Sequence, residues 1–209
     1  MAQVDGRAPS SASPTRSTGA EADTRALILV LGDSLSAAFG IDIDQGWVAL
    51  LERRLRQREL DWRVVNASVS GETTHGAVSR IDAELARLRP DVVLIELGGN
   101  DGLRGLSLQQ TEQNLRTLIE RSLAANARPL LLAVRLPPNL GPIFTERFRA
   151  IYQRLAGEFG IEWVPYLLAG VAAEPGMMQS DGIHPTAQAQ PIMLDNVWGA
   201  LARTAGFTP

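Results

Sequence analysis

From Ala26 onward the chain repeats one arrangement: a short apolar run rich in branched residues, then a stretch whose apolar side chains recur at helical spacing. No other feature restricts the fold as strongly. Apolar runs of this length are buried on both faces, which requires a parallel sheet with helices packed on each side. The runs predict five strands, Ala26–Leu31, Arg63–Asn66, Asp91–Leu97, Pro129–Leu136 and Glu162–Pro165. Between them, Trp47, Leu50, Leu51 and Leu55 share one helical face, and Phe144, Phe148, Ile151, Leu155 and Phe159 share another. The sets Ile81, Leu85, Leu88 and Leu115, Leu118, Ile119, Leu123 mark two more helices. A last helix is expected from Pro185, since proline fits a first helical turn. Residues 25–209 then make a single α/β domain, and the polar residues 1–24 read as a disordered leader.

What the chain lacks narrows the chemistry. It has no cysteine, which excludes thiol nucleophiles, disulfides and cysteine-held metal centres. All 20 basic residues are arginines, so a P-loop lysine, a pyridoxal Schiff base and a Ser/Lys dyad are excluded as well. Only His75 and His184 are available as histidine bases, too few for a three-histidine zinc site. The net charge of -3 gives no reason to expect nucleic acid as a partner. No apolar run reaches the roughly 18 residues of a membrane span, so no integral span is expected. Nor do residues 1–24 hold the apolar stretch of about 7 to 15 residues that export requires. The sequence as it stands points to the cytoplasm, or to the periplasm or secretion if an export signal has been removed.

In an open parallel sheet, ligands bind beyond the carboxyl ends of the strands, so the loops that follow each strand hold the candidates. Gly32-Asp33-Ser34-Leu35 follows the first strand and places a serine at a strand end, at the start of an expected helix. Gly71 lies in the loop after the second strand. Gly98-Gly99-Asn100-Asp101 follows the third, and the Asn100 amide has the chemistry to donate to an oxyanion. Asp181-Gly182-Ile183-His184-Pro185 precedes the last helix, and a carboxylate three residues before an imidazole can reach its Nδ1–H. The expected helix end beside His184 would favour a neutral ring. Each element also has a plainer reading: a capping serine, a glycine turn, a turn aspartate beside a capping histidine.

Taken in order, the four blocks resemble the GDSL, or SGNH, hydrolase superfamily. The resemblance implies a three-layer α/β/α sandwich of flavodoxin-like type with a five-stranded parallel sheet. It implies Ser34 as nucleophile, His184 as base and Asp181 as its orienter, with the Ser34 and Gly71 N–H groups and the Asn100 amide as oxyanion hole. No metal or cofactor is called for. Leu31–Ala37 with Gly40, Val69–Thr74 and Pro137–Gly141 look like the bacterial arylesterase, acyl-CoA thioesterase and lysophospholipase branch. The expected substrate is a small acyl ester or thioester of short-to-medium chain. Leu103, Leu106, Leu140, Ile143, Phe144, Met177 and Met178 are the candidates for the acyl pocket.

Of the other polar residues, Asp33 is read as structural in the turn and His75 as a loop residue near the cleft. Arg53, Arg54, Arg56 and Arg58 read as a solvated helix face, and Asp42 and Asp44 as surface charge. Two alternatives share the fold: an acyltransferase with the same triad, and a non-catalytic flavodoxin-like binding module. The absence of G-x-S-x-G argues against an ordinary α/β-hydrolase elbow.

Overall fold

The first strand, β1 (Ala26–Gly32), sits at the heart of the computed structural model, which describes residues 24–209; apart from Thr24, the expected leader falls outside the described residues. Strands β2 (Trp62–Asn66) and β3 (Val92–Glu96) flank β1, and β4 (Arg128–Leu132) and β5 (Trp163–Val164) extend the sheet beyond β3. The order is β2-β1-β3-β4-β5 and every pairing is parallel.

Strand alternation sorts the apolar side chains into two layers. Ile28, Val30, Val92, Leu94, Leu130 and Leu132 face one side and pack against α1 (Trp47–Gln57) and α6 (Gln190–Ala205). Leu29, Leu31, Val93, Ile95 and Leu131 face the other. There they meet α2 (Thr74–Leu88), α4 (Leu108–Ala124) and α5 (Pro142–Phe159). The three layers are those expected. The Thr73 and Ser107 side chains cap α2 and α4, and Gly160 and Gly206 end α5 and α6 in the left-handed conformation.

Every strand departs from its expected bounds by a residue at one end at least, and three departures are larger. The apolar run read as a strand to Leu136 leaves the sheet at Leu132, because its partner β5 has only two residues. No helix follows β1: residues 34–40 form consecutive turns, with one α-like bond from the Ala37 N–H to the Asp33 carbonyl at 2.9 Å. The last helix begins at Gln190, not at Pro185, with Pro191 in its first turn; Pro185 instead bridges to Met178. Either proline satisfies the local rule for a helix start, and the bridge decides between them.

Candidate active site

Ser34 stands two residues beyond β1, half-buried in the first of those turns. The turn closes tightly over Gly32, where an added Cβ would come within 2.8 Å of Ser36 Cβ and 2.9 Å of Glu96 Oε2. Asp33 has the turn role expected of it: its Oδ1 accepts the Leu35 N–H at 3.0 Å.

The histidine arrives from the opposite end of the sequence. Asp181 Oδ1 accepts the backbone N–H groups of Ile183 (2.9 Å) and His184 (3.0 Å), folding a turn around Gly182 at φ 67°. Its Oδ2 lies 2.7 Å from His184 Nδ1, and His184 Nε2 lies 2.9 Å from Ser34 Oγ. The His184 backbone bond, then the imidazole, then the Ile183 N–H hold the Asp181 carboxyl down at about 2. Because α6 begins six residues after His184, the expected helix dipole is not what acts on the ring; Asp181 orients it.

Two contacts that sequence reading missed tie the serine and histidine loops together. Gln179 Nε2 donates to the Phe39 carbonyl (2.8 Å) and to the Pro185 carbonyl (3.0 Å). The Phe39 ring lies against the imidazole, centroids 4.4 Å apart. No local pattern marks a glutamine or phenylalanine for such a role.

Asn100 belongs to the short helix α3 (Gly99–Leu103), and its Nδ2 donates one hydrogen to Asp33 Oδ2 at 3.0 Å. Gly71, at φ 79°, lies in a loop anchored to β1 by the Val69 N–H on the Gly32 carbonyl (3.0 Å). Arg104, which ends α3, donates to the Gly71 carbonyl at 2.9 Å and so joins the two loops. No hydrogen bond among the described residues takes the N–H of Ser34 or Gly71.

A cavity of about 480 Å³ opens beside Ser34, Asn100 and His184. Of the expected acyl-pocket residues, Leu103 and Met178 line it. Leu140 and Phe144 pack against the core on the α5 side, Met177 against the α6 side, and Ile143 is 71% exposed. Leu106, also exposed, is not a wall residue, and Gly71 lies outside the lining too. The walls come instead from Leu35, Val134, Leu136, Tyr166, Leu168 and Ile183, with Arg135 stacked 4.4 Å over the Tyr166 ring.

Elsewhere, His75 is exposed in the first turn of α2 and does not line the cavity. Asp42 and Asp44 are exposed, as expected. Arg53, Arg56 and Arg58 of the arginine run are exposed, as expected, while Arg54 is half-buried and pairs with Asp195 at 2.7 Å; Arg54 and Arg58 also stack on Trp198 of α6. Among the described residues no group of three or more His, Cys, Asp or Glu could hold a metal ion.

Residues 30–191 match the GDSL-like lipase/acylhydrolase family. Esterase TesA of Pseudomonas aeruginosa is 51% identical over 174 residues, covering 83% of this chain and 87% of its own. Thioesterase 1/protease 1/lysophospholipase L1 of Escherichia coli K12 is 47% identical over 176 residues, covering 84% and 82%. The crystal structure of the psychrotrophic esterase EstA from Pseudoalteromonas sp., inhibited by monoethylphosphonate, superposes with a TM-score of 0.82. It is 37% identical and covers 86% of this chain and 98% of its own. The fold, the ordered motifs and these relatives agree: the chain belongs to the GDSL-like lipase/acylhydrolase family and is a carboxylic ester hydrolase.

Proposed function

We propose that Ser34, His184 and Asp181 form the catalytic triad of an esterase acting on short-to-medium acyl esters, with thioesters and lysophospholipids as further substrates. The observation that carries the reading is the imidazole that bridges Ser34 Oγ at 2.9 Å and the Asp181 carboxylate at 2.7 Å. Ser34 Oγ attacks the acyl carbonyl while His184 Nε2 takes its proton, and Nδ1–H stays hydrogen-bonded to Asp181. The oxyanion is met by the N–H groups of Ser34 and Gly71 and by the second Asn100 amide hydrogen. His184 returns the proton to the departing alkoxide or thiolate, and water repeats the sequence to release the acid.

The cavity suits one acyl chain. Its volume lies within the usual range for small-molecule sites, and its walls are mostly aliphatic. Thioester and lysophospholipid activity is supported by the name of the Escherichia coli relative. Membership of a hydrolase family favours neither the acyltransferase nor the binding-module alternative. No helix among the described residues is long and apolar enough to cross a membrane.

A panel of p-nitrophenyl esters and acyl-CoA thioesters of increasing chain length tests the reading. Wild type is expected to peak at a short-to-medium chain, and Ser34→Ala to lose activity across the panel with unchanged circular dichroism. An undiminished rate in Ser34→Ala would remove the serine from the mechanism.

A further inference from the structure

Directly beneath the nucleophile turn lies Glu96, the last residue of β3, in register with Gly32 and wholly buried. The family motifs do not include it. Its Oε2 accepts the Ser36 hydroxyl at 2.8 Å and the Asp33 N–H at 3.3 Å. Its Oε1 is equally inaccessible and has no acceptor role filled. The Asp33 side chain, itself only 3% exposed, is the neighbouring carboxyl, brought close by that Asp33 N–H bond. Asp33 in turn accepts the Leu35 N–H through Oδ1 and the Asn100 amide through Oδ2, both at 3.0 Å.

Two adjacent buried carboxyls favour a state with one proton between them, since two neighbouring buried charges repel. The surroundings assign that proton. Asp33 has two N–H donors on its oxygens, both of which favour its ionised form. Glu96 has a neutral hydroxyl and one long N–H bond, both on Oε2. The other groups that face it are the Ser36 hydroxyl and the Tyr152 hydroxyl of α5, which donates to the Leu97 carbonyl at 2.7 Å. Neither supplies a positive charge. Burial first, and then the Asp33 charge, push the Glu96 carboxyl well above the ordinary range. A proton on Oε1 also gives the unpartnered atom a function.

We propose that Glu96 is a neutral carboxylic acid whose Oε1–H donates to Asp33, and that it thereby acts as a positioning residue for the oxyanion hole. The Asp33 carboxylate, fixed in this way, takes one hydrogen of the Asn100 amide and leaves the other aimed at the cavity. Asp33 also holds the Leu35 N–H, so the same clamp steadies the peptide just after Ser34. The inference rests on Asn100 as an oxyanion donor, as proposed above.

Glu96→Met keeps the length of the side chain but removes donor and acceptor; Glu96→Gln restores both, with its amide donating to Asp33 and its carbonyl accepting from Ser36. With a p-nitrophenyl ester, Glu96→Met is expected to lower kcat by about tenfold to a hundredfold with little change in KM, less than outright removal of an oxyanion donor. Glu96→Gln is expected to recover most of that loss. A Gln variant as slow as the Met variant, or a Met variant with full kcat, overturns the proposal. Carboxyl-¹³C NMR of glutamate-labelled wild type, assigned with Glu96→Gln, gives a readout that does not depend on the Met variant folding. Glu96 should show the protonated shift at neutral pH, and an ionised shift there overturns the proposal. Asn100→Ala separates the two readings. Low kcat in that variant beside full kcat in Glu96→Met removes only the role of Glu96, whereas full kcat in Asn100→Ala removes the oxyanion reading and the positioning role together.

Discussion

Asp181 uses its two oxygens for different purposes. Oδ1 folds the turn through the N–H groups of Ile183 and His184, and Oδ2 holds the imidazole. Because all three bonds go to the ionised form, the folded carboxyl keeps its charge below the unfolded value of 3.8, down to about 2. Whatever stability these bonds give is complete above 3.8 and is lost as pH falls from there through about 2. A carboxyl-¹³C titration of Asp181 is therefore expected to have its midpoint near 2, and a midpoint at or above 3.8 would mean that the turn is open in solution. Asp181→Asn keeps a side chain of the same shape but can present an amide N–H to the ring and select the wrong tautomer. Its kcat on an aryl ester is expected to fall by about 10³–10⁴-fold with the fold intact. A loss under tenfold would shift the orienting role elsewhere.

At the level of elements, Gln179 is the brace between the serine and histidine loops. Gln179→Ala removes two hydrogen bonds, worth about 0.5–1.5 kcal/mol each, and frees Phe39 from its place against His184. The expected result is a kcat lowered roughly tenfold, with a melting temperature lower by about 2–4 °C for each kcal/mol lost; a normal kcat would show that each loop holds itself. Such braces are what sequence conceals. The five strands were legible because residues such as Ile28 through Leu31 face a core on both sides of the sheet. The same signal failed beyond Leu132: Val134 and Leu136 are as apolar as a strand, yet they wall the cavity. Apolar burial looks alike in a sheet and in a ligand site. The candidate residues Ser34, Asn100, Asp181 and His184 were legible as a set through the order of the motif blocks, none of which is specific alone. The acyl pocket was not, because its walls come from separate loops that only the tertiary fold brings together. Leu140 and Phe144, chosen as apolar residues flanking the site, turn to the core instead.

For the molecule as a whole, the buried acid at position 96 affects the balance between folded and unfolded chains. An unfolded glutamate loses its proton near 4.5, whereas the folded one keeps it well above that. In that interval the folded state binds the extra proton, so stability falls as pH rises, until the folded group itself ionises. Glu96→Gln has no such proton to lose. Its melting temperature relative to wild type is expected to be higher at about pH 8 than at about pH 5, measured by differential scanning calorimetry; a constant difference would place Glu96 at an ordinary pKa. The separation of 150 residues between Ser34 and His184 has a consequence of another kind. The serine is synthesised 150 residues before the imidazole, so a nascent chain carries the proposed nucleophile while its proposed base is still to come. If the proposed triad acts, acyl chemistry waits until the turn of Asp181 and His184 docks beside β1, so activation is tied to long-range folding and not to the serine's own loop.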